Sequence, residues 1–205
     1  MAKWLKWAME LQAIAQAGLE YSKDVFDLER FEMIRELSVE IMEEYTDVEP
    51  EKLRELFANE TGYATPKVDV RGIVFSEGKV LLVKEKADGK WALPGGWGDI
   101  GYSPSEVAVK EVWEESGYVV EAKRLIAVID KKFHPHPPSP YYIYKHFILC
   151  ELVGGQATTG IETSDVQFFA EDALPPLSLG RNTESQIQLA FKYLHNPDEP
   201  VYFDW

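Results

Sequence analysis

Glu111, Glu114 and Glu115 stand at i, i+3 and i+4, so on a helix their carboxylates project from one face. Three like charges there repel, at roughly a few tenths of a kcal/mol per pair on a bare solvated helix. A divalent cation turns that repulsion into a hard-oxygen site of the kind Mg2+ or Mn2+ occupies. By themselves three glutamates fit an ordinary acidic surface better than a metal site. The run before them, Gly95-Gly96-Trp97-Gly98-Asp99-Ile100-Gly101-Tyr102, is what adds weight to the chemical reading. Charge points the same way: 35 acidic against 21 basic residues give a net charge of −14. A protein so acidic does not hold nucleic acid on a broad basic face. An anionic substrate would need bound cations to approach it.

The elements that must position these residues change character near Thr61-Gly62. Before that point Leu5, Ala8, Leu11, Ala15 and Leu19 recur at helical steps, Phe31, Ile34, Leu37 and Ile41 do the same after Asp24, and a shorter helix starts at Pro50. Three short helices are too few to make a comfortable domain alone, so their apolar stripes need a covering partner. After it, Val68–Phe75 and Val80–Val83 read as strands joined through Glu77-Gly78-Lys79. A helix from Pro104 to Ser116 is closed by Gly117. Strands are expected around 124–129, 142–152 and 166–169, with a closing helix at 183–194. The fold class is therefore α/β, a mixed sheet with helices on its faces, with residues 1–64 forming a helical domain and 65–205 the catalytic one.

No uninterrupted apolar segment opens the chain, and the single cysteine, Cys150, sits in an apolar run, so a soluble cytoplasmic protein with a core cysteine is expected. His134 and His136 are one residue apart around Pro135 with no third ligand nearby, which favours solvent exposure over metal binding.

Residues 96–118 resemble the Nudix signature, in which a glycine, a glutamate and then Arg-Glu-apolar-any-Glu-Glu-any-Gly-apolar recur at fixed spacing. The matching positions are Gly96, Glu111, Val112, Glu114, Glu115 and Gly117. Two depart: Tyr102 replaces the early glutamate, and Lys110 replaces arginine, exchanging a bidentate fork for a point charge. The similarity extends over residues 66–196, including Trp91-Ala92-Leu93-Pro94 and Leu174-Pro175. The helical leader, Gly96-Trp97-Gly98-Asp99 and Lys110 also resemble the subgroup that acts on X-linked nucleoside diphosphates, among them bacterial CDP-choline pyrophosphatases.

The resemblance implies an α/β/α Nudix sandwich and a hydrolysis in which Mg2+ or Mn2+, held by Glu111, Glu114 and Glu115, bridges a diphosphate while water attacks one phosphorus. Glu162, in the loop before the 166–169 strand, is the candidate general base. Asp99 could supply part of what Tyr102 lacks. Arg71, Lys84 and the Gly96 backbone could meet phosphate, and Trp97, Tyr102 and Tyr142 could stack on a base or enclose a quaternary ammonium group. The leading substrate is CDP-choline, giving CMP and phosphocholine. Alternatives are another nucleoside diphosphate conjugate such as ADP-ribose or a sugar nucleotide, removal of nucleotides from an RNA end, and a non-catalytic ligand sensor. The leader is expected to pair two copies, with residues 1–60 packing on the partner's catalytic domain and walling its pocket.

Overall fold

The chain opens with three helices, α1 (Lys3–Tyr21), α2 (Val25–Glu44) and α3 (Pro50–Phe57), in the regions marked by apolar periodicity. The computed structural model describes residues 2–204, apart from the side chains of residues 50 and 56. Asp24 starts α2 by accepting hydrogen bonds from Phe26 N at 3.0 Å and Asp27 N at 3.1 Å, which satisfies donors that a helix start leaves open. Leu5, Ala8, Val39, Met42, Leu53, Phe57 and Ala58 form the helices' common core. The stripe on α2 is offset from the expected one. Ser38, Val39 and Met42 are buried, Phe31, Ile34 and Ile41 are half-buried, and Leu37 is exposed. Apolar residues surround much of this helix, Val25, Phe26 and Met33 also being exposed, so spacing alone did not single out the inner face.

The sheet begins at β1 (Lys67–Ser76) and β2 (Lys79–Glu85), whose register of Ser76 with Lys79 leaves Glu77-Gly78 as a two-residue turn. There follow β3 (Trp91–Ala92), β4 (Gly95–Trp97), α4 (Pro104–Ser116), β5 (Tyr118–Asp130), a single 3-10 turn (Lys131–Phe133), β6 (Ile143–Gly155), β7 (Thr163–Phe169), α5 (Glu184–His195) and β8 (Tyr202–Phe203). The strand order is β3-β2-β1-β6-β5-β8, with β4 added to β1 and β7 to β2. β1 and β6 run parallel, as do β5 and β8, and the other pairs are antiparallel, so the sheet is mixed as expected. β5 starts six residues earlier than 124: burial alternates from Tyr118 to Leu125, but Val119 and Leu125 stand on the exposed side and Arg124 on the inner one, so the sequence shows no apolar alternation there. β3, β4 and β8 are too short to carry a periodic signal.

Period-two alternation divides the strand side chains between two cores. Val80 and Leu82 point to one with Ile73, Phe147, Ile187 and Phe191, so α5 covers that face. Leu81 and Val83 point to the other with Val70, Val107, Val112 and Cys150, so α4 covers the second. This is an α/β/α sandwich, and Cys150 is a core residue whose thiol pKa burial pushes up to about 12. Two compact units result: the chain up to Pro66 together with Pro138–Tyr142, and Lys67–Pro137 together with Ile143 onward. Among the described residues no helix is long and apolar enough to cross a membrane.

Candidate active site

The start of α4 is fixed by a capping box: Ser103 Oγ accepts from Glu106 N at 3.3 Å, and Glu106 Oε2 accepts from Ser103 N at 2.8 Å. Gly117, in the left-handed region at φ 72°, ends it, its N–H donating to Trp113 O at 2.8 Å. With both ends held and Val107, Ala108 and Val112 packed in the core, Glu111, Glu114 and Glu115 face one cleft of about 1120 Å³. Gly95, Gly96, Trp97, Asp99, Thr158 and Glu162 also line it.

Gly95 is where backbone and helix meet. At φ 151° it pairs with Arg71 across β1, and a Cβ there would lie 2.1 Å from Val70 O, so a larger residue would force the strands apart. That close approach lets Gly95 N donate to Glu115 Oε2 at 2.9 Å. Glu115 is 8% exposed, and burial, opposed by Arg71 and by the Gly95 bond, raises its pKa to about 7. Glu111 is also raised, chiefly by burial, with Lys110 opposing. Gly96 leaves space beside Glu111: a Cβ would sit 2.9 Å from its Oε1.

Lys110 gathers the acidic wall. Its Nζ lies 3.0 Å from Asp99 Oδ2, 3.5 Å from Glu111 Oε1 and 3.7 Å from Glu114 Oε2. The pKa of this ammonium is raised, led by its hydrogen bond to Asp99. Asp99 therefore ties the loop to α4 through Lys110. Tyr102, at the position of the signature's early glutamate, is exposed outside the cleft lining, its ring centroid 5.9 Å from Lys110 Nζ.

The donor set fits a hard divalent cation: three carboxylates on one wall, with room beside Glu111 that only a glycine leaves. Among the described residues they are not drawn together into a closed ligand cluster; Lys110 partly neutralises them instead.

Glu162 reaches the cleft because its loop is laced to α4 and β2. Thr158 N donates to Ser116 O at 2.9 Å, Thr163 Oγ1 donates to Glu115 O at 2.7 Å, and Lys86 Nζ donates to Ile161 O at 2.7 Å. Gly160 presses so closely on α4 that a Cβ would lie 2.2 Å from Glu114 O.

Arg71 does not reach the cleft. It is completely buried, with Nε and Nη2 on the two Asp69 oxygens at 2.9 and 2.7 Å and Nη1 on Leu93 O at 3.0 Å. Lys145 Nζ, also buried, bonds Asp69 as well. Its place on β1, which made it a phosphate candidate, instead sets it against Asp69 and Leu93, where it supports the segment before Gly95. Lys84 lies outside the lining too, paired in register with Trp91 and Asp165. Tyr142 belongs to the 138–142 segment that groups with the helices. The histidines are half-buried, contrary to expectation: His134 Nε2 is 3.2 Å from Asp204 Oδ1, and His136 bridges Leu179 O and Gln186 Nε2 at 2.7 and 2.8 Å.

Sequence reasoning missed the loop from Thr158 to Ile161, the buried Glu85 and Arg181, which lines the cleft. For Arg181 a signal existed: the Thr183/Gln186 capping box marks the start of α5 and so places Arg181 in the loop just before it.

Residues 2–57 match the family described as UDP-X-like, N-terminal oligomerisation domain, and residues 65–189 match the NUDIX domain. A Bacillus subtilis (strain 168) protein named "Putative ADP-ribose pyrophosphatase YjhB" is 53% identical over 98% of this chain and 97% of its own length. A crystal structure of a UDP-X diphosphatase is 36% identical, covers 98% of both chains and superposes with a TM-score of 0.64. An ADP-ribose pyrophosphatase from Streptococcus suis 89-1591 is 44% identical with a TM-score of 0.63, over 68% of this chain and 100% of that one.

Proposed function

The chain belongs to the Nudix hydrolase family, and from that premise we propose that it hydrolyses the diphosphate linkage of a nucleoside diphosphate joined to a second group. The observation that carries this reading is the convergence of Glu111, Glu114, Glu115 and Glu162 on one cleft beside the Gly95-Gly96 segment. Family members generally work with divalent metal ions, and here Glu111, Glu114 and Glu115 would hold Mg2+ or Mn2+. Such an ion supplies positive charge against the diphosphate and lowers the pKa of a bound water.

The chain's own residues then have separate tasks. Gly95 N holds one Glu115 oxygen and so orients that carboxylate. Asp99 holds Lys110 against the acidic wall. Glu162 takes the proton of the attacking water as its oxygen bonds to one phosphorus and the bridging oxygen leaves on the other. The products are a nucleoside monophosphate and the phosphorylated second group.

The relatives point to the substrate class: their names carry ADP-ribose and UDP-X. They lend no support to CDP-choline as the specific substrate or to RNA ends. ADP-ribose is therefore the first substrate to assay, yielding AMP and ribose 5-phosphate. Full-length protein with Mg2+, Mn2+ or EDTA is incubated with ADP-ribose, UDP-glucose, CDP-choline and a short RNA, and products are identified by mass. Metal-dependent release of a nucleoside monophosphate from at least one conjugate is expected. Inertness toward every conjugate with either metal defeats the proposal.

A further inference from the structure

Among the described residues two cationic side chains line the cleft, Lys110 and Arg181. Lys110 is engaged by Asp99, Glu111 and Glu114. Arg181 is held far more loosely: its described ion pair, to the buried Glu85, is long at 3.5 Å, and its side chain is 37% exposed. A guanidinium carries five N–H donors in a fixed fork, so one long pair leaves most of that capacity unused.

Its backbone is fixed by contrast. Arg181 N and Asn182 N both donate to Ser178 O, at 2.8 and 3.0 Å. The neighbouring Asn182, completely buried, accepts from Leu93 N through Oδ1 at 2.8 Å. Leu93 O accepts from Arg71, and Gly95, two residues on, carries the N–H that holds Glu115. Arg181 is thus registered to the segment that orients a metal-binding carboxylate, while its charged end makes one long ion pair, to Glu85.

The surrounding charge independently points to an anion. Lys131 is half-buried and makes no ion pair within 4 Å among the described residues; Asp69 attracts it, and Arg181 and Arg71 repel it. Lys145 is buried beside Arg71. Four cations therefore crowd one region of a chain whose net charge is −14. The carboxylates acting on Arg71 are Asp69, Glu115 and Glu85, and of these Glu115 is the one a metal ion would claim. Asp69 and Glu85 offset part of this positive charge, and the remainder favours an anion in the adjoining cleft.

Resting on the function proposed above, we infer that Arg181 is a substrate-binding residue whose guanidinium takes non-bridging oxygens of the diphosphate while the glutamates of α4 serve the metal. The planar fork matches phosphate oxygens in pairs, which an ammonium does not.

The test is calorimetric titration of full-length protein with α,β-methylene-ADP, a non-hydrolysable nucleoside diphosphate, in Mg2+. Arg181→Gln should weaken binding at least about tenfold, with Arg181→Lys between it and wild type. In ADP-ribose hydrolysis KM should rise more than kcat falls. Mn2+ affinity by electron paramagnetic resonance and the melting temperature should stay at wild-type values. Should Arg181→Gln fold poorly because Glu85 loses its partner, Glu85→Gln/Arg181→Gln removes the orphaned charge and must show the same loss of binding. Unchanged analogue affinity in a variant overturns the inference, as does a loss matched by equal losses in Mn2+ affinity and melting temperature. If wild type hydrolyses a conjugate and Arg181→Gln keeps its KM, only this inference fails. If wild type hydrolyses none, the proposed function fails first.

Discussion

Glu115 combines two demands that usually conflict. It is buried enough for its pKa to rise to about 7, yet in the proposed mechanism it presents an anionic oxygen to a cation. Gly95 N reconciles them by fixing one oxygen and leaving the other. Glu115→Gln keeps an acceptor for that N–H but loses the charge, so turnover should fall at least about a thousandfold with the fold intact. Wild-type activity in that variant, measured beside its melting curve, would remove Glu115 from the mechanism. Glu162→Gln should lower kcat more than it weakens analogue binding, with the acid-side limb of the pH-rate profile altered, since a base must be deprotonated to act; a superimposable profile would exclude it as the base. Beneath both lies Asp69, whose pKa is well lowered because Arg71 and Lys145 outweigh its burial. Arg71→Met strips Asp69 Oδ2 and Leu93 O of their buried donors while Lys145 still holds Oδ1, and should cost about 1–3 kcal/mol in denaturant unfolding. A variant as stable as wild type would show that the buried pair contributes nothing.

At the scale of elements, the site is an agreement between α4 and two loops. Gly160 meets the backbone of α4 where no Cβ fits, so Gly160→Ala should push the Glu162 loop outward. Turnover should drop by about tenfold to a hundredfold, with little change in melting temperature, because a displacement near 1 Å suffices to disturb reacting geometry. A second agreement joins the loop of His136 to α5. His136 accepts from Gln186, whose Oε1 in turn accepts from Thr183 N at 3.0 Å. Burial lowers the pKa of His136 to about 4, against about 6.5 in the unfolded chain. Between those values the unfolded chain binds a proton that the folded one refuses, so stability rises with pH and is lost as pH falls from about 6.5 toward 4. His136→Gln, which keeps a donor and an acceptor, should flatten that slope in unfolding measured across the window. Parallel slopes would place the acid sensitivity elsewhere.

For the whole molecule, the helices at the amino end carry more apolar surface than their own core uses. Trp7, Ile14, Val25, Phe26, Met33 and Leu37 are all exposed, on a segment that matches an oligomerisation domain. We propose that two copies associate through this surface, the scale at which an exposed apolar stripe is covered. Sedimentation of the full chain should give a dimer at micromolar concentration, and Phe26→Asp with Leu37→Asp should shift it toward monomer. A monomeric wild type would defeat the proposal.

What the sequence determined by itself was local. Helical spacing put Glu111, Glu114 and Glu115 on one face, Pro104 and Gly117 bounded α4, and alternating apolar residues marked the longer strands. Each depends on residues a few positions apart, within reach of one turn or one pleat. Tertiary structure decided the rest. Arg71 and Lys84 both sat on strands as candidate phosphate ligands, and only the packing of the sheet and β4 showed Arg71 enclosed with Asp69. Asp99 meets Lys110 across 11 positions, and Leu93 meets Asn182 across 89. No periodicity spans such separations. The inner face of α2 was likewise settled by which neighbours cover it, since its sequence offered apolar residues in several directions. The residues proposed to bear the chemistry stand out in the sequence because their spacing is that of one helix; those that hold them in place do not, because their partners come from strands and loops far along the chain.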